Sequence, residues 1–184
     1  FDGNNYSDRE YYQRCMNGEA YISTPVKSKV TGELTIIVAA PLWKNGEADT
    51  TPVGVVYFVP KETFLNDIMS SINISENGGA YMIDKDGNTI ADITMDTVTV
   101  QNIENEATSD PELQDLAALH KNMRNGQSGV GTYSINGTEK IMGYAPVSGT
   151  DGWSLAAFAP TSDFMHSTIT SIIVTILLVI LAII

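Results

Sequence analysis

Gly152-Trp153-Ser154-Leu155-Ala156-Ala157-Phe158-Ala159-Pro160 repeats the plan of Gly54-Val55-Val56-Tyr57-Phe58-Val59-Pro60, about one hundred residues earlier. Each is a strand-length apolar run opened by glycine and closed by proline, which has no N–H to give to a ladder. Ahead of each run stands an Ala-Pro pair, Ala40-Pro41-Leu42 in the first copy and Ala145-Pro146-Val147 in the second. The shared order of strand, Ala-Pro, loop, Gly-led strand, Pro and helix predicts two related α+β modules in tandem.

Outward from the first copy, Ala20 to Val26 and Leu34 to Leu42 are apolar or β-branched runs separated by Thr31-Gly32, which reads as a hairpin. Val53 to Val59 is nearly all apolar and predicts a strand covered on both faces. After Pro60, apolar residues recur every three to four positions from Phe64 to Met69, a short helix. The polar, glycine-containing stretch Ser75 to Gly79 is the expected module boundary.

Around the second copy, Ala80 to Ile83 and Thr89 to Ile93 flank Asp84-Lys85-Asp86-Gly87-Asn88, a hairpin turn whose glycine accepts positive φ. Asp110-Pro111 opens a helix as N-cap and first helical residue. Leu113, Leu116, Ala117 and His120 share its inner face, and Asn125-Gly126 ends it. Gly129 to Ile135, Lys140 to Val147 and Trp153 to Ala159 are three more strands, the first turn among them being Asn136-Gly137. The expected divisions are 1–73, 74–162 and 163–184.

The last of these is a membrane helix. From Ile169 to Ile184 there is no charge, and only Thr170, Ser171 and Thr175 interrupt the apolar run. Its sixteen residues rise about 24 Å as a helix, short of the ~30 Å hydrocarbon core. We therefore expect a transmembrane helix cut short, and the start at Phe1-Asp2-Gly3, neither an initiator Met nor a signal peptide, likewise reads as internal to a longer protein.

The chain of 184 residues carries 10 Lys+Arg against 22 Asp+Glu, a net charge of -12. Such a balance repels polyphosphate and argues against nucleic acid as a partner. Residues 71–160 hold most of it, with four basic and twelve acidic side chains, while residues 1–70 hold six and nine. The first module is thus the better place for an anionic ligand. One cysteine, Cys15, excludes an intramolecular disulfide and a Cys-based metal or iron-sulfur centre. The two histidines, His120 and His166, have no nucleophile motif around them and no second histidine at metal-ligand spacing. We expect neither a catalytic residue nor a cofactor nor a metal. Asp84 to Asn88 departs from a calcium loop, which needs glycine sixth and Glu twelfth, where this sequence has Gly87 fourth and Met95 twelfth.

Asp8-Arg9-Glu10-Tyr11-Tyr12-Gln13-Arg14 is the one polar and aromatic concentration. An arginine fork binds a carboxylate in bidentate fashion, and two tyrosine rings can wall a small pocket while offering hydroxyls. The alternative for these residues is an ordinary surface helix start.

The ordered set Asp8-Arg9-x-Tyr11-Tyr12, Tyr21 to Val26, Thr31-Gly32-Glu33-Leu34 to Ala40-Pro41, Gly54-Val55-Val56, Tyr81 to Gly87 and Gly152-Trp153 resembles the double Cache family. These are extracytoplasmic sensor regions of bacterial chemoreceptors, histidine kinases and cyclic-nucleotide enzymes. The resemblance covers residues 1 to about 165. It implies tandem PAS-like modules with antiparallel sheets, membrane-distal at 1–73 and N-terminally truncated, then membrane-proximal at 74–162. A preceding membrane helix and stalk helix, which mediates homodimer formation in this reading, are not in the sequence. The amino-acid-binding subset of the family implies ligand contacts at Arg9, Tyr11 and Tyr12. Ser28 and Val59 fall where that subset has aspartates for the ammonium group, and a buried ammonium without a carboxylate is costly. A small carboxylate or a neutral polar heterocycle such as a pyrimidine is therefore expected, held by Arg9, Tyr11, Tyr12, Ser28 and Tyr57.

The function expected from all this is the ligand-sensing region of a bacterial transmembrane chemoreceptor, not an enzyme, sitting outside the cytoplasm at the cell membrane. The alternatives are the sensor input of a histidine kinase or diguanylate cyclase and, from another class, a membrane-anchored hydrolase or an empty structural module that signals through protein contacts.

Overall fold

The computed structural model describes residues 5–27, 34–61, 63–93 and 96–165. The first helix, α1 (Glu10–Met16), follows Arg9, whose extended backbone (φ -83°, ψ 137°) makes it the N-cap. Tyr11 and Cys15, one helical turn apart, form its buried face. Five short strands come next: β1 (Tyr21–Ile22), β2 (Val26–Lys27), β3 (Leu34–Thr35), β4 (Val38–Trp43) and β5 (Pro52–Phe58).

The expected hairpin forms but is divided. β1 pairs with β4 and β2 with β3, both antiparallel, with the register displaced by one residue between the two pairs. At the break Ser23 holds Ile37 twice: the Ile37 N–H donates to the Ser23 hydroxyl and the Ser23 N–H donates to the Ile37 carbonyl, both at 2.9 Å. The expected turn at Thr31-Gly32 lies outside the described residues.

β1, β4 and β5 form a three-stranded sheet in that order. α1 packs on one face, where Tyr11, Cys15 and Ala39 are buried. β5 corrects the expectation of a strand covered on both faces, since Val53, Val56 and Phe58 are 62%, 52% and 59% exposed. It is the end strand of its sheet, and the face carrying Leu42, Val56 and Phe58 has no helix packed on it among the described residues. An apolar run specifies a strand; it does not specify what lies against it.

The chain continues through α2 (Phe64–Ser71), β6 (Gly79–Ile83), β7 (Thr89–Ala91), α3 (Ile103–Glu106), α4 (Gln114–Arg124), β8 (Gly129–Ile135), β9 (Thr138–Pro146) and β10 (Ser154–Pro160). The last five strands make an antiparallel sheet of order β7-β6-β10-β9-β8. Every residue of β6 is buried because both faces are covered. Alternation sorts its side chains: Tyr81 and Ile83 join the core with Leu113, Leu116 and Met123, whereas Ala80 and Met82 join the one with Leu65, Met69 and Trp153. α2 thus packs on the second sheet, and Ile36 of the first half reaches the same core.

Both repeated segments form antiparallel pairs, β4–β5 with Ala40 opposite Val56 and β9–β10 with Ala145 opposite Leu155, although the registers are not the same when counted from the closing prolines. Their surroundings differ. β10 is central, with β6 on its second edge, whereas β5 has no second neighbour among the described residues.

Local signals around α4 behave as expected. The Asp110 carboxylate accepts the Glu112 N–H at 2.9 Å, and Pro111 opens a 3-10 turn that runs into the helix. Asp110→Ala is expected to cost about 1 kcal/mol, read as a lowered urea midpoint with unchanged slope. Asn136 (φ 50°) and Gly137 (φ 70°) supply the two left-handed residues of the β8–β9 turn. α3 has no apolar period to announce it; the Asn102 side chain caps its four residues by accepting the Asn105 N–H.

Residues 161–165 are helical. The expected membrane run at 169–184 lies outside the described residues, and among those described no helix is long and apolar enough to cross a membrane.

Candidate functional site

The chain folds Arg9, Tyr11, Tyr12 and Tyr57 into one neighbourhood because α1 crosses β4 and β5. Tyr11 points onto the sheet and is 6% exposed. Its ring centroid lies 5.1 Å from that of Tyr57, tilted by 42°. Tyr57 sits opposite Ala39, whose small side chain leaves room for the helix. Burial pushes the Tyr11 hydroxyl above its usual range, with Tyr57 and Tyr6 adding to the effect and Arg9 opposing it. Tyr12 is half-buried at the margin of the Tyr11–Cys15–Ala39 cluster. Ser28 lies outside the described residues. Val59, in the other position singled out from the sequence, is 52% exposed and offers no polar atom.

Arg9 provides the charge. Its side chain is 29% exposed, and its one ion pair among the described residues, Nε to the exposed Asp8 carboxylate, is long at 3.5 Å. The Nε atom is buried and makes no hydrogen bond. A guanidinium carries five N–H donors in a rigid fork, so this one is suited to take a planar anion or a carbonyl-rich ring beside the tyrosine pair. Cys15 is fully buried below, and burial pushes its thiol up, which makes it an inert packing residue.

The opposite side of α1 carries a polar junction that the sequence reading did not single out. Arg14 Nε donates to Glu10 at 3.1 Å, and its guanidinium reaches Glu19 at 3.7 Å and Asp151 at 3.5 Å. Lys85 Nζ donates to the same Asp151 carboxylate at 2.7 Å, holding that carboxyl below its usual range. α1 thereby meets the β6–β7 and β9–β10 turns. Only the Glu10–Arg14 spacing of one helical turn was visible in the sequence.

The polar groups singled out in the second half are engaged within the fold. His120 is 1% exposed, with Nε2 2.7 Å from the Tyr81 hydroxyl, which also lies 3.1 Å from Met142 Sδ. The Asp84 carboxylate is consumed by its own turn, accepting the N–H groups of Asp86 and Asn88, each at 2.9 Å. Among the described residues no group of three or more His, Cys, Asp or Glu side chains is placed to hold a metal ion.

The model of the dCache_1 family, Cache domain, matches residues 1–168. A probable methyl-accepting chemotaxis protein of Bacillus thuringiensis subsp. konkukian (strain 97-27) is 22% identical over 171 residues, which are 90% of this chain and 22% of that protein. Among solved structures, the extracellular domain of the putative histidine kinase mmHK1S-Z3 superposes with a TM-score of 0.64 at 17% identity, over 90% of this chain and 58% of that one. The ligand-binding domain of the Pseudomonas aeruginosa PAO1 amino acid chemoreceptor PctB, solved with L-Arg, gives 0.61 at 18% identity, over 95% and 63%. The chain thus spans about a fifth of the curated relative and about three fifths of these solved domains.

Proposed function

The chain belongs to the Cache domain family, and on that premise we propose that it is the extracytoplasmic ligand-sensing region of a bacterial transmembrane chemoreceptor. In this reading residues 1–73 are the membrane-distal module, with α2 (residues 64–71) as the connector packed on the second sheet, and residues 74–162 are the membrane-proximal one. The ligand occupies the distal module between Arg9 and the Tyr11–Tyr57 pair, with Tyr12 at its edge, and Ser28 is proposed as a further contact. The observation that carries the proposal is the part-exposed Arg9 guanidinium, which acts on Tyr11, the ring partner of Tyr57, and is paired only at 3.5 Å with exposed Asp8 among the described residues.

PctB was solved with L-Arg, an amino acid. For this chain we propose a small carboxylate or a neutral polar heterocycle of pyrimidine type, because an apolar Val59 and a neutral Ser28 give an ammonium group no counter-charge. Binding closes the site and shifts the receptor between two states, carried through β10 to the helical residues 161–165 and onward to the membrane. The partners are the ligand, a second copy of the chain and the membrane, with no nucleic acid. The chain itself performs no catalysis here; any enzymatic output belongs to other parts of the whole protein. A histidine kinase or diguanylate cyclase input is the second reading, favoured by the fold shared with the histidine kinase domain.

Thermal unfolding against a panel of small carboxylates, pyrimidines and amino acids tests it. A ligand at a hundred times its Kd is expected to raise Tm by about 5 to 10 °C. Stabilisation by amino acids alone overturns the ligand class, and turnover of a panel member overturns the sensor reading in favour of the hydrolase.

A further inference from the structure

We propose that the Asp163 carboxylate is a latch: it ties the first turn of the helix at 161–165 to the loop leaving α2, and displacement of the first half reaches that helix through it. The proposal deepens the sensor reading and rests on its premise that residues 161–165 lead toward the membrane. None of the residues assigned to the Arg9 site takes part.

The two sides of the latch are far apart in the chain and meet because β6 and β10 are neighbours, with Gly79 opposite Phe158. The loop before β6 therefore lies beside the turn of helix that follows β10. The Ser75 hydroxyl donates to Asp163 Oδ2 at 2.7 Å, the Asn77 N–H to the same oxygen at 3.1 Å, and the Asn77 side-chain amide to Oδ1 at 3.2 Å. Hydrogen bonds to an ionised acceptor are the stronger kind, and here both oxygens are used. The Gly78 N–H closes the loop on the Ser75 carbonyl at 3.2 Å. A Cβ at Gly78 would stand 2.8 Å from the Phe158 carbonyl oxygen and 2.9 Å from Ser75 Oγ, so the loop reaches β10 this closely only with glycine there.

The helix turn is thus held at two points by different elements. One is β10, which runs straight into it, reinforced by the Thr161 hydroxyl, which donates to the Glu139 carbonyl of β9 at 3.2 Å. The other is the loop from α2. A segment pinned to two bodies tilts when one of them moves against the other. α2 is the body that the first half can displace, because its Leu65 and Met69 share a core with Ile36, and Ile22 and Val38 pack against the same core. Packed side chains on one side of the loop and charge-assisted hydrogen bonds on the other make a continuous route, parallel to the direct passage along β10.

Methionine methyl NMR on the whole chain reads each point of this route without a ligand, so the latch and the Arg9 site stand or fall separately. Met69 lies on α2 in the shared core, Met142 lies in the other core as a control, and Met165 sits half-exposed on the helix. Ile36→Val, which trims one methyl group from the first half's contribution to the shared core, supplies the displacement. It is expected to move the Met69 and Met165 signals and to leave Met142 still. Repeated in an Asp163→Ala background, it is expected to move Met69 as before and Met165 by less than about half as much, the signature of a coupled pair. Ser75→Ala removes the shortest bond and leaves the carboxylate on Asn77, so it is expected to reduce the Met165 displacement in the same direction, and it asks the question again should Asp163→Ala not fold. A Met165 signal unmoved by Ile36→Val while Asp163 is in place overturns the proposal. So does a displacement that persists undiminished in Asp163→Ala or in Ser75→Ala, which would assign the transfer to β10 alone.

Discussion

Stability is expected to fall as pH drops from about 6.5 toward about 4, and His120→Phe is expected to remove most of that slope. The histidine lies inside the second module, 1% exposed and stacked on Tyr81 with ring centroids 5.5 Å apart. Tyr81 has one hydroxyl proton and two neighbours, Met142 Sδ at 3.1 Å and His120 Nε2 at 2.7 Å. Both contacts are satisfied when Nε2–H donates to the tyrosine oxygen and the tyrosine proton goes to sulfur. The imidazole is then neutral, with Nδ1 left as a buried, unpartnered acceptor. Burial lowers its pKa from 6.5 to about 4, against a small opposing effect of Glu104. Between those values the unfolded chain binds a proton that the folded one refuses, so stability is complete above about 6.5 and is lost as pH falls. The difference is worth about 3 kcal/mol. Asp151, held below its ordinary 3.8 chiefly by Lys85, contributes stability that is lost only at lower pH, outside this window. His120→Phe gives up the Tyr81 hydrogen bond and is expected to be about 1 kcal/mol less stable at pH 7. Urea midpoints measured for both proteins from pH 4 to pH 7.5 read the slopes. Parallel curves would mean that His120 titrates as an exposed histidine does.

The second large effect is expected from Arg9→Ala. A charge-assisted hydrogen bond to a ligand is worth roughly 1.5 to 3 kcal/mol, so affinity for the stabilising ligand is expected to fall by about ten- to a hundredfold or more. The unliganded protein is expected to melt within a degree or two of the wild type, because the only ion pair of Arg9 among the described residues is the long one to exposed Asp8. Arg9→Lys keeps the charge but loses the planar fork, and is expected to recover little of the affinity. A lowered Tm without ligand together with unchanged binding would make Arg9 a structural residue of the α1 N-terminus. An unchanged receptor response in Arg9→Ala would favour the scaffold reading instead.

Much of the fold could be read from local chemistry. The Gly-led, Pro-closed runs became β5 and β10, the Asp110-Pro111 pair opened α4, and Asn136-Gly137 turned β8 into β9, because each rests on backbone constraints that act within a few residues. What resisted reading depends on neighbours distant in the chain. The apolar β5 was expected to be covered, yet coverage depends on what packs from elsewhere, and α1 takes one face only. α2 follows the first module in sequence but buries Leu65 and Met69 on the second sheet. The divided hairpin depends on Ser23 giving both its backbone and its hydroxyl to Ile37, a use of serine that no periodicity signals.

The candidate site divides along the same line. Arg9, Tyr11 and Tyr12 are adjacent in sequence and were found through a linear motif, and the tilted contact between Tyr11 and Tyr57 places the fourth residue beside them. The Arg14–Asp151–Lys85 junction joins residues far apart in the chain and carries no linear signature.

The most direct test of the central claim is a crystal structure of the chain with the panel member that stabilises it most. That molecule is expected between α1 and β5, within hydrogen-bonding distance of the Arg9 guanidinium and against the rings of Tyr11 and Tyr57. A stabilising ligand bound elsewhere, with the Arg9 fork still empty, would contradict it.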